Sequence, residues 1–533
     1  MTDWASWRCP FHRVSSSRSV LMLAPLLFVL AAVSAPTRPN RPAVPAEPIP
    51  VTGLPIASPA SVGMSSDRLE AVNRVVEHGI AAGGYPGAAV IVGRKGKAVL
   101  QRGFGHISWD QSSPAVEPTS TVYDLASLTK VVGTTTAVMV LFDQGRISLD
   151  APVSRYLPEF SGGEKDLVTI RQLLTHRSGL PAGRDIYKLT RDPAEARRLI
   201  LSTPLASHPG QFYEYSDLGA DVLAMVVQAV SAQPLDEFLA DYVFHPLGMY
   251  RTGFCPADSL RSRIAPTGRE GGDRSWQGEV NDPNAFAMGG VAGHAGLFST
   301  AADLSVFAQM MLNGGTYNGV RIIADSTVQL FTTRAAGHRA LGWDTPTGSF
   351  GSGNYLSERA FGHTGFTGTS MWIDPDRDMF VILLTNRVYA SKSPHPVRVI
   401  ADVRSDLSDA ASLAVTDMDA GALMMPASFR ADREVGWHEA PRRHGRARHA
   451  KALASRHGKR AGSARAAELR RSTSSRKSGK SAKSGKSGKS GKSGSPAQHA
   501  SSHSAEHSGA KHASKKSSSK SSSKSKSRSG HST

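Results

Sequence analysis

Cysteine is nearly absent from this chain. There are two, Cys9 and Cys255, in 533 residues. No Cys/His cluster has zinc-site spacing, and two cysteines make no disulfide framework. Cys9 falls in a segment read below as removable, which would leave Cys255 without an intramolecular partner. The cysteine count therefore does not fix a redox compartment. Long apolar runs are scarce too. The run Val20–Val33 is shorter than the roughly 20 residues a bilayer span needs, and no later segment is long and apolar enough. Three common catalytic signatures are missing. Without G-x-S-x-G the usual α/β-hydrolase reading fails, and without H-E-x-x-H or G-x-x-x-x-G-K-[ST] so do the zinc-protease and P-loop readings.

Acidic residues are nearly missing from one region only. Pro441–Thr533 carries 25 Lys and Arg against 2 Asp and Glu. The remainder holds 38 basic and 42 acidic residues, so the net charge of +19 belongs to a tail and the body is slightly acidic. From Lys477 to Lys492 a lysine recurs at every third position. Such a composition cannot bury enough apolar surface to offset chain entropy, and 416–533 is expected to be disordered. It reads either as a solubilising segment without a partner or as a tether whose lysines suit anionic cell-wall or surface polymers or lipid headgroups. Nucleic acid is disfavoured as a partner, because no aromatic residues interleave with the Lys/Ser repeats to stack bases.

What is present begins with Arg8, Arg13 and Arg18, then the apolar run, then the small residues Ser34 and Ala35. That order reads as a secretory signal over 1–35 and predicts an exported protein: periplasmic, cell-surface or secreted. Left uncut, the same run would anchor the chain, and membrane association is expected in that case alone. A proline-rich linker follows over 36–54. The body, 55–415, is rich enough in apolar residues for a large core; the chain as a whole is 40% hydrophobic.

Within the body, Ser65–Ser66 precedes a stretch of 3.6-residue apolar spacing and predicts a capped helix. "GAAVIVGRKGKAVLQRGFGHI" predicts a hairpin. The middle reads as helix and loop. Strand signals return at Ser370–Ile373 and Met379–Leu384, and "VRVIADVRSDLSDAASLA" predicts a closing helix. The order fits an α+β fold: an antiparallel sheet flanked by helices, with an all-helical subdomain.

The chemistry begins in "YDLASLTKVVGTTTAVMVLFDQGRISLD". Ser127 and Lys130 stand three apart at the mouth of a helix, and positions i and i+3 share a face. Serine needs a base to become a nucleophile, and a partly desolvated lysine can serve. A helix N-terminus favours the negative charge that an attacked acyl group develops. S-x-x-K alone is weak: Ser517–Lys520 in the tail matches by composition, and a Ser cap beside a surface Lys is the better account of the tetrad taken alone.

Two further stretches change the weighting: Tyr215-Ser216-Asp217 at another helix mouth, and His363-Thr364-Gly365 before a strand. With "IRQLLTHRSGLP", "GGVAGHAGLFSTAADLSVFAQMML" and "LLTNR", they make residues 55–412 resemble the serine β-lactamase and penicillin-binding-protein superfamily. The likeness is to its class-C-like branch of β-lactamases, D-alanyl-D-alanine carboxypeptidases, D-aminopeptidases and carboxylesterases. The resemblance implies that Ser127 is acylated and that Lys130 and Tyr215 share the base work. It implies an oxyanion hole at the N–H groups of Ser127 and Phe366, and substrate contacts at Asp217, His363, Thr364 and Gly365. No cofactor or metal is implied. The substrate is a small molecule or peptide. Asp217 replaces the usual Asn; it can hold Lys130 by charge and would raise its pKa. His363 replaces the usual Lys, which weakens capture of a substrate carboxylate and argues against strong β-lactamase activity. His294, between glycines, is a candidate aid to deacylation. His176 reads as structural, and Asp282 and Asn284 as turn residues. The expectation is a hydrolase of D-amino-acid peptides, esters or, weakly, β-lactams. The alternatives are a penicillin-binding sensor of the same fold with little turnover, and a polyanion binder acting through its tail.

Overall fold

The computed structural model describes residues 53–268, 277–348, 351–389 and 392–418. The expected signal segment, nearly all of the expected linker and the basic residues beyond 418 lie outside them.

Ser65 caps the first helix, α1 (Ser66–Ala81), by accepting the Arg68 N–H. A hairpin follows: β1 (Gly87–Arg94), the turn Lys95–Gly96, and β2 (Lys97–Gly105). After the short β3 (Tyr123–Asp124) the chain forms one continuous helix in three windings. A 3₁₀ turn (Ala126–Leu128) leads into a π-helical stretch (Thr129–Thr135) and then α2 (Thr136–Asp143). The helical block continues with α3 (Ile170–Leu174), α4 (Pro193–Ser202), α5 (Asp217–Ser231) and α6 (Leu235–Leu239). Then come β4 (Gly253–Phe254), α7 (Pro283–Ala287), β5 (Leu297–Ser299), α8 (Ala301–Leu312), the small hairpin β6 (Thr316–Tyr317) and β7 (Val320–Arg321), and α9 (Asp325–Thr332). The chain returns to the sheet with β8 (Phe361–Thr364), β9 (Ser370–Asp374) and β10 (Met379–Thr385), and closes with α10 (Pro396–Leu413).

The main sheet has the order β2-β1-β10-β9-β8, antiparallel throughout. The first hairpin therefore pairs with the last strand. Alternation sorts the side chains. Val90, Val92, Val381 and Leu383 face α1 and α10. Ala89, Ile91, Ile373, Phe380 and Ile382 face the large second core, where α8 lies. Both faces are covered, so β1 and β10 are buried at every position. This is the α+β architecture expected from the sequence.

The edges of the body differ slightly from the sequence reading. Leu54, assigned to the linker, is buried, and Ala98 donates to Pro55 O. At the other end Thr416 N–H reaches Gly63 O, and Asp417 pairs with the buried Arg94 at 2.6 Å. Polar contacts hold these last residues, which an apolar pattern cannot reveal. Cys255 carries no free thiol in the structure.

Candidate active site

The three distant motifs converge. Ser127 lies in the 3₁₀ turn and Lys130 one turn on, and the Lys130 Nζ is 2.9 Å from the Ser127 Oγ. The i,i+3 geometry expected of a helix survives the change of winding. Ala126, just before Ser127, has φ +46°, a left-handed backbone that a side chain adopts at a cost. Asp124 holds this bend: one carboxylate oxygen accepts the Ala126 N–H at 2.8 Å and the other the Asn281 N–H at 2.7 Å. The loop between β8 and β9 is tied to the same segment. Thr367 Oγ1 donates to Asp124 O and Thr369 Oγ1 to Leu125 O. Those two bonds bring the 363–366 stretch beside Ser127.

Tyr215 and Asp217 flank the N-cap of α5. Ser216 caps the helix through the Gly219 N–H, donates its own hydroxyl to Pro181 O, and gives its N–H to His176 Nδ1. Asp217 Oδ1 sits 2.7 Å from Lys130 Nζ. The Tyr215 ring lies with its centroid 4.9 Å from the same amine. Lys130 is buried and also donates to His294 O at 3.2 Å. Burial alone would release its proton. Tyr215 and Asp217 outweigh that and hold the ammonium above its ordinary range. Asp217 in turn is opposed by burial and held below the usual carboxylate range, chiefly by Lys130.

His363 is buried on β8, with Nδ1 2.8 Å from Thr364 O and Nε2 3.8 Å from Asp344. Burial pushes its pKa down to about 4, against the opposing pull of Asp344, so the ring is neutral at neutral pH. Thr364 is partly exposed and Phe366 exposed. Among the described residues neither the Ser127 nor the Phe366 N–H donates a hydrogen bond. Two unused donors beside a nucleophile are the requirement for holding an oxyanion. Gly365 has a reason that lies inside the protein. A Cβ there would stand 2.1 Å from Thr369 Oγ1 and 2.4 Å from Leu125 O. The glycine lets the strand end press against the nucleophile turn.

The ring of His294 does not open onto the nucleophile. Its Nδ1 is 2.7 Å from Asp221 and its Nε2 3.0 Å from Asp282, so what reaches Lys130 is its backbone carbonyl. A ring giving both N–H groups to carboxylates has no lone pair with which to take a proton from water. Asp282 also caps α7 through the N–H groups of Asn284 and Ala285, and the Asn284 side chain bonds Tyr187 N–H and Arg184 O, which is turn chemistry.

Several residues at the site had no motif to announce them. The Arg339 guanidinium lies 5.3 Å from the Tyr215 ring centroid, bonds the Tyr213 hydroxyl and pairs with Asp344 at 3.0 Å. His176 packs against Tyr215 with ring centroids 4.6 Å apart and the planes tilted by 35°; burial and Arg339 keep it neutral, as an acceptor must be. Arg404 of α10 donates to Gly365 O and Thr369 O. A cavity of about 420 Å³ opens beside this group, lined among others by Arg177, Tyr213, Arg339, Asp344 and Trp372. Asp221 had a readable signal: an acid on the buried face of an otherwise apolar helix needs a partner.

Residues 72–404 match the family model "Beta-lactamase", and the chain belongs to that family of serine hydrolases. A protein of Salmonella agona (strain SL483) named "Putative D-alanyl-D-alanine carboxypeptidase" is 33% identical over 63% of this chain and 87% of its own. Among solved structures, a penicillin-binding-protein homologue from Caulobacter crescentus aligns with TM-score 0.53 at 22% identity, over 66% of this chain and 99% of that one. A family VIII carboxylesterase aligns with TM-score 0.52 at 20% identity, over 66% and 98%. These two show the shared fold.

Proposed function

We propose that the protein is an exported serine hydrolase that forms an acyl-enzyme on Ser127. Its substrates are D-amino-acid peptides or esters, with β-lactams turned over weakly. The observation that carries this reading is the 2.9 Å contact between the Ser127 Oγ and a buried Lys130 amine, with Tyr215 and Asp217 on the same amine. In the first step the Ser127 oxygen bonds to the acyl carbon while its proton passes to the Tyr215–Lys130 pair. Because Lys130 rests as an ammonium, the pair takes that proton only after giving one up to solvent, either from the Tyr215 phenol, leaving a phenolate that the ammonium stabilises, or from Lys130 itself, leaving a neutral amine. The oxyanion lies against the N–H groups of Ser127 and Phe366. Collapse breaks the bond to the leaving group, which takes the proton back. Water repeats the sequence, giving the free acid and restoring Ser127.

Thr364 is suited to hydrogen-bond the substrate along the β8 edge. A neutral His363, and an Arg339 already paired with Asp344, leave no free cation of either to seize a carboxylate, which is why β-lactams rank low. The peptide half of the reading is supported by the name of the Salmonella relative. Export is supported by the arginine-flanked apolar run at the N-terminus, and the basic tail suits an anionic wall or surface polymer as a tether.

A second reading, an acylated binder with little turnover, is favoured by Asp217, which keeps Lys130 protonated. One experiment separates the two. A fluorophosphonate probe and labelled penicillin are applied to wild type and Ser127→Ala, and p-nitrophenyl esters and D-Ala-D-Ala peptides are assayed beside them. Labelling of wild type alone, with product release, supports the enzyme. Stable labelling without release supports the binder. Equal labelling of both proteins overturns Ser127 as the nucleophile.

A further inference from the structure

The histidine beside the site does something other than deliver a proton. His294 is buried and lies between two carboxylates from different elements: Asp221 on α5 and Asp282 at the N-cap of α7. Asp221 Oδ1 also accepts the N–H groups of Gly293 and His294 at 2.9 and 3.2 Å. Thr134 Oγ1, one turn beyond Lys130, donates to Gly293 O. A Cβ on Gly293 would stand 2.1 Å from Ala220 O, so the loop lies directly on α5. The product of this packing is one carbonyl, His294 O, aimed at the Lys130 amine at 3.2 Å.

We propose that His294 is a positioning residue for Lys130: its ring, donating from both nitrogens to Asp221 and Asp282, fixes its own backbone carbonyl against the catalytic amine. The inference rests on the hydrolase reading above.

The charges facing the ring explain why it must be a cation. Besides Asp221 and Asp282, the ring acts on Asp217, and Lys130 acts on Asp282. Asp124 lies in the field of Asp282 as well. Without the imidazolium, the carboxylates around Lys130 would be left with that ammonium as their nearby cation, and it would hold its proton harder. Burial opposes the imidazolium, but the two carboxylates outweigh burial and hold it protonated well above the ordinary histidine range. Losing the ring proton therefore both frees a carboxylate and loosens the carbonyl.

The test uses the full chain and a p-nitrophenyl ester, with wild type, His294→Asn and Asp282→Asn. Asparagine remains a good cap for α7, so Asp282→Asn keeps the fold while removing one anion. Misplacing a catalytic amine by about 1 Å is expected to lower kcat about 10²-fold in His294→Asn with KM little changed. In Asp282→Asn the alkaline limb of kcat should move to lower pH, together with the His294 titration followed by NMR. A purely structural histidine would shift its own titration in Asp282→Asn but leave the alkaline limb where it is. Wild-type kcat in a folded His294→Asn, or an alkaline limb that stays put while the His294 titration moves, overturns the proposal. A wild type inactive on esters and on D-Ala-D-Ala peptides would instead count against the hydrolase reading. The Lys130 Nζ resonance then decides: a shift in His294→Asn supports the positioning role, and no shift ends it.

Discussion

Lys130 Nζ stands 2.7 Å from Asp217 and 2.9 Å from the Ser127 hydroxyl, so one buried amine is shared between a carboxylate that keeps it charged and the hydroxyl proposed as the nucleophile. Lys130, the proposed base, is thus held in its protonated form at rest.

Asp217→Asn removes the charge that holds the Lys130 proton. Lys130 gives up that proton at lower pH, so the acid limb of the kcat profile is expected to move to lower pH. Breaking a fully buried pair costs about 3–5 kcal/mol, and the loss here should be smaller. Asp217 is one-third exposed, and Lys130 keeps Ser127 and the His294 carbonyl. pH–rate profiles and urea melts of the two proteins check both points.

His363→Lys puts a cation at a buried position beside the Tyr215 ring, 6.1 Å away between centroids. Preference is expected to move toward carboxylate-bearing substrates. The measurement is the ratio of kcat/KM for a D-Ala-D-Ala peptide to that for a neutral short-chain ester. An unchanged ratio counts against the account of carboxylate capture.

His363 also makes stability depend on pH. Its folded pKa of about 4 lies below the ordinary 6.5, so its contribution is full above 6.5 and is lost as pH falls through about 4. The swing is on the order of 3 kcal/mol. Asp124 runs the other way. Burial lifts its carboxyl to about 6, so its contribution is full below the ordinary 3.8 and is lost as pH rises through about 6. Comparing wild type with His363→Gln by denaturant melts at pH 7 and pH 4.5 cancels the Asp124 part. The variant should lose less stability on acidification.

Gly365→Ala forces a methyl group onto Thr369 Oγ1 and Leu125 O. Overpacking of this kind costs about 1–3 kcal/mol. Because Leu125 adjoins the nucleophile turn, acylation should slow more than the melting temperature falls. Stopped-flow acylation beside thermal melts distinguishes a displaced oxyanion hole from a merely weaker fold.

Removing residues 419–533 takes away the basic tail and leaves the catalytic residues untouched. Turnover of a small ester is expected to be unchanged. Retention on an anionic wall polymer should be lost, and retention of the full chain should weaken as salt rises.

By itself the sequence determined the alternating strands, the capped helices and the motifs of Ser127, Tyr215 and His363, because each is written in local spacing: 2.0 for a strand, 3.6 for a helix, three residues for a shared helical face. The resemblance to a known family added that an aspartate at 217 could hold Lys130 by charge, and the two stand 2.7 Å apart. Only the tertiary structure decided what Arg339, His176, Asp221 and Asp282 do. Their partners are distant along the chain or belong to other elements, and no periodicity encodes such a contact. The same holds for His294. Flanking glycines announced a close approach, but whether ring or carbonyl faced the nucleophile depended on two carboxylates brought in by α5 and α7. For Gly365 the motif named the residue, and packing supplied the reason: two backbones meet there, and a single methyl group would keep them apart.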